Sequence, residues 1–453
     1  MRIINYIWSF LFLICINNAV LAIDASYTIT PNLSASQSTI RVQLEVKTNE
    51  DGVASLVYFD EAWGEQNLFN CLQSLEVLNS KADIKIDPET NSIIIKSLPR
   101  HLLLIEYVLK QDFDGEANIS DYYRPIINKE YFHLFGHRLF LIPDKIFKSK
   151  NKNTIEINWE EVPYLVQHNF GTESEGVYYL TRDELLESVV VGGDFRRHSV
   201  NFNGINLHLL TRGSWKSFDD EELLQKLERI VHVQRDFWND YSDDIYTVTL
   251  LPFDQNGGNY LGGTGLANGF ASYCTNSKKS KLENLSSLYY HELMHHWIGG
   301  KIRNSSPGEE LWFSEGFTEY FSMKLILQQN EMTQKEFDQE IQRTYEKLEE
   351  SPYGKLRNNE LSLTTNNSQI EEIPYQRGLL YAHYLDEKLQ AQSDGKTSLK
   401  DVMLQILSDT ENKLFTNQYF EKILLDFFDQ EEQSIFNNYI LKGELVLNYD
   451  FAN

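Results

Sequence analysis

The spacing of apolar residues changes period partway along this chain, and that switch limits the folds open to it. From Ala25 to about Val166 apolar and polar residues alternate, as in TIRVQLEVK (39–47) and in DIKID (83–87), which turns at PETN into SIIIKSL. Successive side chains of a strand point to opposite faces, so this pattern belongs to short strands with one buried face. HLLLIEYVL, HRLFLIP and TIEINW continue it, with turn residues between. After about Gly171 the period lengthens. DDEELLQKLERIVHVQRDFW (219–238) carries apolar residues at helical spacing and acids in the first turn, where they suit the positive end of a helix dipole. YTVTLLPF (246–253) reads as a strand and NGGNYLGGTGLANG (256–269) as a glycine-rich loop leading into FASYC. LSSLYYHELMHHWIGG reads as a helix stopped by its two glycines, and from Thr333 onward helical patterns dominate. The expectation is a multidomain α+β protein with an N-terminal antiparallel β domain (23–170), a mixed α+β domain (171–350) and a helical C-terminal domain (351–453).

Residues 1–22 read as a secretory signal peptide: Arg2 precedes the apolar stretch Ile7 to Ile16, and Val20 and Ala22 occupy the small-residue cleavage positions. The mature chain is expected to begin near Ile23 and to be secreted or periplasmic. The apolar run is shorter than the roughly 20 residues of a membrane span, and no second run approaches that length, so no stable membrane insertion of the mature chain is expected. With 66 acidic against 41 basic side chains the formal charge is −25, which argues against nucleic acid and anionic membranes as partners. The same charge suits either a self-repelling soluble surface or a field that favours substrates with free amines or basic side chains. Beyond the leader stand Cys71 and Cys274, neither in a C-x-x-C pair, so cysteine-ligated zinc is excluded; one disulfide and two separate thiols both remain open.

HELMHHWIGG (291–300) concentrates the chemistry. On a helix, His291 and His295 share one face a turn apart, where both imidazoles reach a single ion, and Glu292 stands close enough to polarise a water there. A catalytic zinc takes three protein ligands and keeps one position open. The candidate third ligand is Glu315 in LWFSEGFTEYF, separated from His295 by nineteen residues, room for one helix to end and a second to pack back against it. Glu319, one turn further on, is placed to accept the N–H of a ligating histidine and fix its tautomer. His133 and His137, in EYFHLFGHRLF, are also four apart but have no acidic partner nearby, and read as structural.

HELMHHW followed by LWFSEGFTEYF resembles the gluzincin zinc metallopeptidases, above all the membrane-alanyl aminopeptidase and glycyl aminopeptidase families. Trp297, Trp312, Glu315 and Gly316 match the motif, with one residue more in the spacer than is usual. ELLESVVVGGDF (184–195) is similar to the segment joining the two domains in the glycyl family. The resemblance implies a thermolysin-like catalytic domain, one Zn2+ held by His291, His295 and Glu315, Glu292 as general base, and Tyr375 of PYQRG as a donor to the oxyanion. It places Gly265, Leu266, Ala267 and Asn268 at the substrate, because TGLAN (264–268) stands where aminopeptidases carry G-A-M-E-N. Ala267 then occupies the position of the glutamate that holds the substrate's amine, and Asp254 is the nearest acid upstream. The strand GFASYC is expected to form the sheet edge that pairs with an extended peptide. The reading is a secreted zinc metallopeptidase acting on peptide or protein substrates, aminopeptidase-like but without the amine-anchoring glutamate, with exo- and endopeptidase action both open. If no other acid replaces that glutamate, it gains little from a free N-terminus. A non-catalytic peptide-binding protein and a hydrolase of a non-peptide bond are the alternatives.

Overall fold

The computed structural model describes residues 22–34, 37–254, 258–306, 308–361, 367–445 and 447. The signal-peptide reading rests on residues outside these, apart from Ala22. The alternating segments form sheets, as their period predicts. A six-stranded sheet runs in the order Gly176–Leu180, Asn153–Trp159, Ala25–Asn32, Thr39–Lys47, Leu102–Lys110, Leu72–Val77, and a four-stranded sheet is built around Val53–Val57 and Ser92–Lys96. Their inward residues, among them Tyr27, Val42, Leu56, Ile95 and Ile105, pack into one apolar core. A third sheet pairs Val189–Gly193 with Leu165–His168 and with Tyr131–Phe135. The strand after the 171 boundary is thus bonded to the N-terminal β region, which sheet pairing carries as far as Gly193. The HRLFLIP segment departs from a strand: Gly136–Leu139 makes a helical turn, and a Cβ at Gly136 would lie 2.0 Å from the Leu185 carbonyl oxygen. His133 and His137 are buried there among aromatic rings.

The central sheet has the order Arg196–Phe202, Ile205–Thr211, Ile245–Phe253, Gly269–Thr275, Leu261–Leu266. Gly269–Thr275 lies parallel to Ile245–Phe253 on one side and antiparallel to Leu261–Leu266 on the other. The edge is therefore Leu261–Leu266, a segment whose glycines read as a loop, and the GFASYC strand expected at the edge is interior. Helix Asp220–Trp238 starts at an Asp219–Glu222 capping box that satisfies its first free N–H groups. Leu223, Leu227 and Ile230 on its inner face join Leu207, Val248 and Phe270 of the sheet. The same core continues without a break through Trp312, Phe317, Leu380 and Phe420 to Leu447, so the C-terminal helices extend the core of the central region. Cys71 and Cys274 are both buried and unbonded, the first in the N-terminal core and the second in the central sheet. No helix among the described residues is long and apolar enough to cross a membrane.

Candidate metal centre and active site

The helix carrying the HELMH segment spans Leu282–Met294, so it ends inside the motif, before the glycines. His291 lies in its last turn and His295 caps it in helical backbone geometry. Two neighbours hold this end in place: the Tyr290 carbonyl accepts from Gln234 Nε2 at 2.7 Å and from Ser322 Oγ at 2.8 Å, both bonds buried. Trp297 is buried against Trp238, their rings 5.8 Å apart and nearly parallel, and donates from Nε1 to Asp240 Oδ2 at 2.7 Å. The chain then turns back at Gly299, where φ is +101°.

Glu315 stands at the junction of two helices, Leu311–Ser314 and Gly316–Gln328. What brings it to the histidines is a backbone crossing. Helix Gly316–Gln328 meets the long helix Ser368–Gln392 at Gly316 and Gly378, where a Cβ on Gly316 would lie 2.3 Å from Gly378 Cα and one on Gly378 would lie 1.8 Å from the Trp312 carbonyl oxygen. Only hydrogen fits between them. The crossing sets Glu315, one residue before Gly316, near Tyr375, three residues before Gly378. Tyr375 follows Pro374 inside the long helix, well past its first turn, and its ring lies parallel to that of His291 at 6.2 Å.

The three ligand candidates converge. His291 Nε2 and His295 Nε2 are 3.2 Å apart, and Glu315 Oε2 lies 3.5 Å from the first and 3.4 Å from the second. Tetrahedral zinc with ligands at about 2.0–2.1 Å separates them by about 3.3–3.4 Å, so the spacing fits that ion. The protonation pattern fits as well. His291 Nδ1–H donates to Glu319 Oε2 at 2.7 Å and His295 Nδ1–H donates to the Ile298 carbonyl at 3.0 Å, which leaves both Nε2 lone pairs aimed at the same point. Burial opposes a positive charge on His291, yet Glu315 and Glu319 raise its pKa to about 10: the site calls for a cation. Burial likewise raises Glu292, against the pull of His291 and His295. The Tyr375 phenol is held protonated by burial and by the facing Glu315 carboxylate, and at 39% exposure it is open to a ligand.

Two cavities flank this cluster. One of about 410 Å³ is lined by Gly265, Leu266, Ala267 and Asn268 together with Glu292 and His295. The other, about 390 Å³, is lined by Glu319 and Tyr375. The structure thus gathers every site residue expected from the sequence around one point or along its cavity walls. Asp254 is elsewhere, exposed and paired with Lys216 at 2.9 Å. A second carboxylate–histidine group, Asp240, Asp243 and His296, borders the first cavity but is already neutralised. Asp243 Oδ2 accepts from Arg235 at 2.8 Å, His296 at 2.9 Å and Lys301 at 3.2 Å, which locks the turn after the motif. Sequence reasoning did not reach Glu187, which also lines the first cavity; the likeness of ELLESVVVGGDF to an interdomain segment marked its neighbourhood but not the residue.

Residues 231–438 match the Peptidase family M1 domain. Leucine aminopeptidase 2 of Neosartorya fischeri is 23% identical over 222 residues, 48% of this chain and 33% of that protein. The corresponding protein of Aspergillus niger is 24% identical over 229 residues, 49% of this chain and 34% of its own length. The chain thus spans about a third of the length of the curated relatives it matches. Among solved structures, an aminopeptidase N family protein from Idiomarina loihiensis superposes with a TM-score of 0.77 at 18% identity, covering 94% of this chain and 77% of that one. An M1 zinc metallopeptidase from Deinococcus radiodurans gives 0.58 at 13% identity over 95% of both chains. A mutant of the latter bound to a Tyr-Ser-Ala substrate gives 0.56 at 12% identity over 94% of both.

Proposed function

We propose that this chain, which carries a Peptidase family M1 domain on an aminopeptidase N-like fold, is a secreted or periplasmic zinc metallopeptidase that hydrolyses peptide bonds. The observation that carries the reading is the convergence of His291 Nε2, His295 Nε2 and Glu315 Oε2 within 3.2–3.5 Å of one another, with each histidine's other nitrogen tied to an acceptor. These three residues hold one Zn2+, and Glu319 fixes the His291 tautomer. When bound, the ion supplies a Lewis acid and makes a water acidic enough to attack near neutral pH. Glu292, half-buried beside His291, would take a proton from the attacking water and return it to the leaving amine; its raised pKa suits a group that must hold a proton between the two steps. Tyr375 keeps its proton and donates a hydrogen bond where negative charge develops on the substrate oxygen. The strand edge at Gly265 and Leu266, continuing to Ala267 and Asn268, aligns the extended peptide. The position that relatives fill with an amine-binding glutamate is Ala267, so any anchor for a substrate ammonium comes from another element.

Zinc content together with a digest of a mixed peptide library, read by mass spectrometry, tests the reading. Bound zinc with new peptide termini supports it. Zinc-loaded protein that binds peptides without cutting them identifies a non-catalytic binder, and hydrolysis confined to esters or other non-peptide bonds identifies the third class.

A further inference from the structure

Tyr375 sits on a helical turn that its own hydrogen bonds hold poorly. Pro374 stands inside helix Ser368–Gln392 and has no N–H, so the bond it would donate to the Ile370 carbonyl is missing and its ring crowds that carbonyl. The place of this turn therefore depends on what grips it from outside. One grip is the backbone crossing of Gly316 and Gly378. The other is Arg377, whose side chain leaves the helix about 200° around the axis from Tyr375, at about 100° per residue. Arg377 is 1% exposed, yet no carboxylate pairs with it among the described residues. Burial lowers its pKa to about 10, so it stays charged at neutral pH.

Backbone carbonyls surround the guanidinium instead. Nη2 donates to the Gly354 carbonyl at 3.0 Å and to the Leu356 carbonyl, and Nη1 donates to the Ile440 carbonyl at 3.4 Å. These acceptors belong to two separate segments. Gly354 and Leu356 follow helix Gln334–Glu350, and Ile440 lies in the last turn of the short helical segment Asn437–Leu441, where free carbonyls concentrate partial negative charge. Gly443 closes the grip: its φ is +73°, and a Cβ there would lie 2.7 Å from Arg377 Nη2 and 2.4 Å from the Leu356 carbonyl oxygen. A planar fork with five N–H donors suits carbonyls arriving from several directions, which a lysine ammonium matches only in part. We propose that Arg377 is a positioning residue for the reaction, fastening the Tyr375 turn to residues 354–356 and 440 so that the phenol meets the developing oxyanion. The assignment rests on the peptidase reading, in which Tyr375 is the oxyanion donor, and Arg377 acts only through the helix.

The test is a double-mutant cycle on the zinc-loaded full chain. Arg377→Met should lower kcat by about 10- to 100-fold with KM and zinc content unchanged, and Arg377→Lys should recover part of the loss. Added to Tyr375→Phe, Arg377→Met should lower kcat by less than about threefold more, because the group it positions is already gone. Should Arg377→Met fail to fold, Gly443→Ala, which crowds the same guanidinium from the far side, takes its place in the cycle with the same expected pattern. An unchanged kcat in Arg377→Met, or a loss on Tyr375→Phe as large as on wild type, overturns the proposal, since Arg377 then serves stability alone. Full turnover in Tyr375→Phe overturns it too, by removing the donor to be positioned. If wild type cleaves no peptide, the peptidase reading fails on its own and calorimetry with a phosphinic dipeptide, whose tetrahedral anion stands in for the oxyanion, decides Arg377. Weaker binding in Tyr375→Phe and in Arg377→Met, with no further loss in the double variant, supports the assignment. Additive losses, or none in Arg377→Met, overturn it.

Discussion

Acidification should unfold the N-terminal β region through three histidines buried without charge. His133 and His168 are fully buried and His137 nearly so, and burial lowers each pKa from 6.5 to about 3. The folded-state value is the depressed one, so the unfolded chain takes up these protons first. The stability each neutral ring contributes is complete above pH 6.5 and is lost as the pH falls from there toward 3, at about 1.4 kcal/mol per unit for each histidine. Between pH 7 and pH 5 that amounts to about 2 kcal/mol per residue and about 6 kcal/mol for the three, comparable with the whole stability of a typical domain. His133 isolates one share. Neither of its ring nitrogens has a hydrogen-bond partner, and it packs between Tyr122 and Phe135 at 5.2 and 5.1 Å, so His133→Leu replaces it with an apolar side chain of similar size. Urea unfolding followed by tryptophan fluorescence at pH 7 and pH 5 gives both stabilities for both proteins. The variant's loss on acidification should be smaller than the wild type's by about 2 kcal/mol. An equal loss in the two proteins would refute the reasoning, because His133 would then titrate in the folded state as it does in the unfolded chain.

Tyr375→Phe removes one donor to the developing oxyanion and should lower kcat by about 10²–10³ with zinc and fold unchanged, as steady-state kinetics and metal analysis will show. Glu319→Gln keeps an oxygen acceptor for His291 Nδ1–H but not its charge, and should weaken zinc about 10- to 100-fold in a competitive chelator titration. Gly378→Ala forces a methyl against the Trp312 carbonyl and should cost about 1–3 kcal/mol or more of stability. It should also lower activity by parting Tyr375 from Glu315.

The parts of this molecule legible in its sequence are those fixed by local spacing. His291, His295 and Glu292 follow from one helical turn, Glu319 follows Glu315 by another, and the alternation in TIRVQLEVK gives the strand it forms. What stayed hidden depends on contacts between distant segments. Leu261–Leu266 carries three glycines, which weaken any strand signal, and it becomes the edge only because Gly269–Thr275 turns inward to pair with Ile245–Phe253. Val189–Gly193 is apolar enough for any buried strand, and nothing local says that its partners are Tyr131–Phe135 and Leu165–His168. The glycines after Glu315 and Tyr375 look like motif punctuation in the sequence. Their physical reason, two helix backbones touching, exists only in three dimensions.

The measurement that bears most directly on the metal centre is zinc stoichiometry and peptide turnover of wild type and Glu292→Gln, taken from the same preparations. Glu292 stands beside the ligand cluster without being one of its three members. Both proteins should hold about one zinc per chain, because the three ligands are untouched. Turnover of the variant should fall by at least about two orders of magnitude, because glutamine keeps the shape but cannot accept the proton. Near-full turnover in Glu292→Gln, or zinc absent from both proteins, would contradict the assignment.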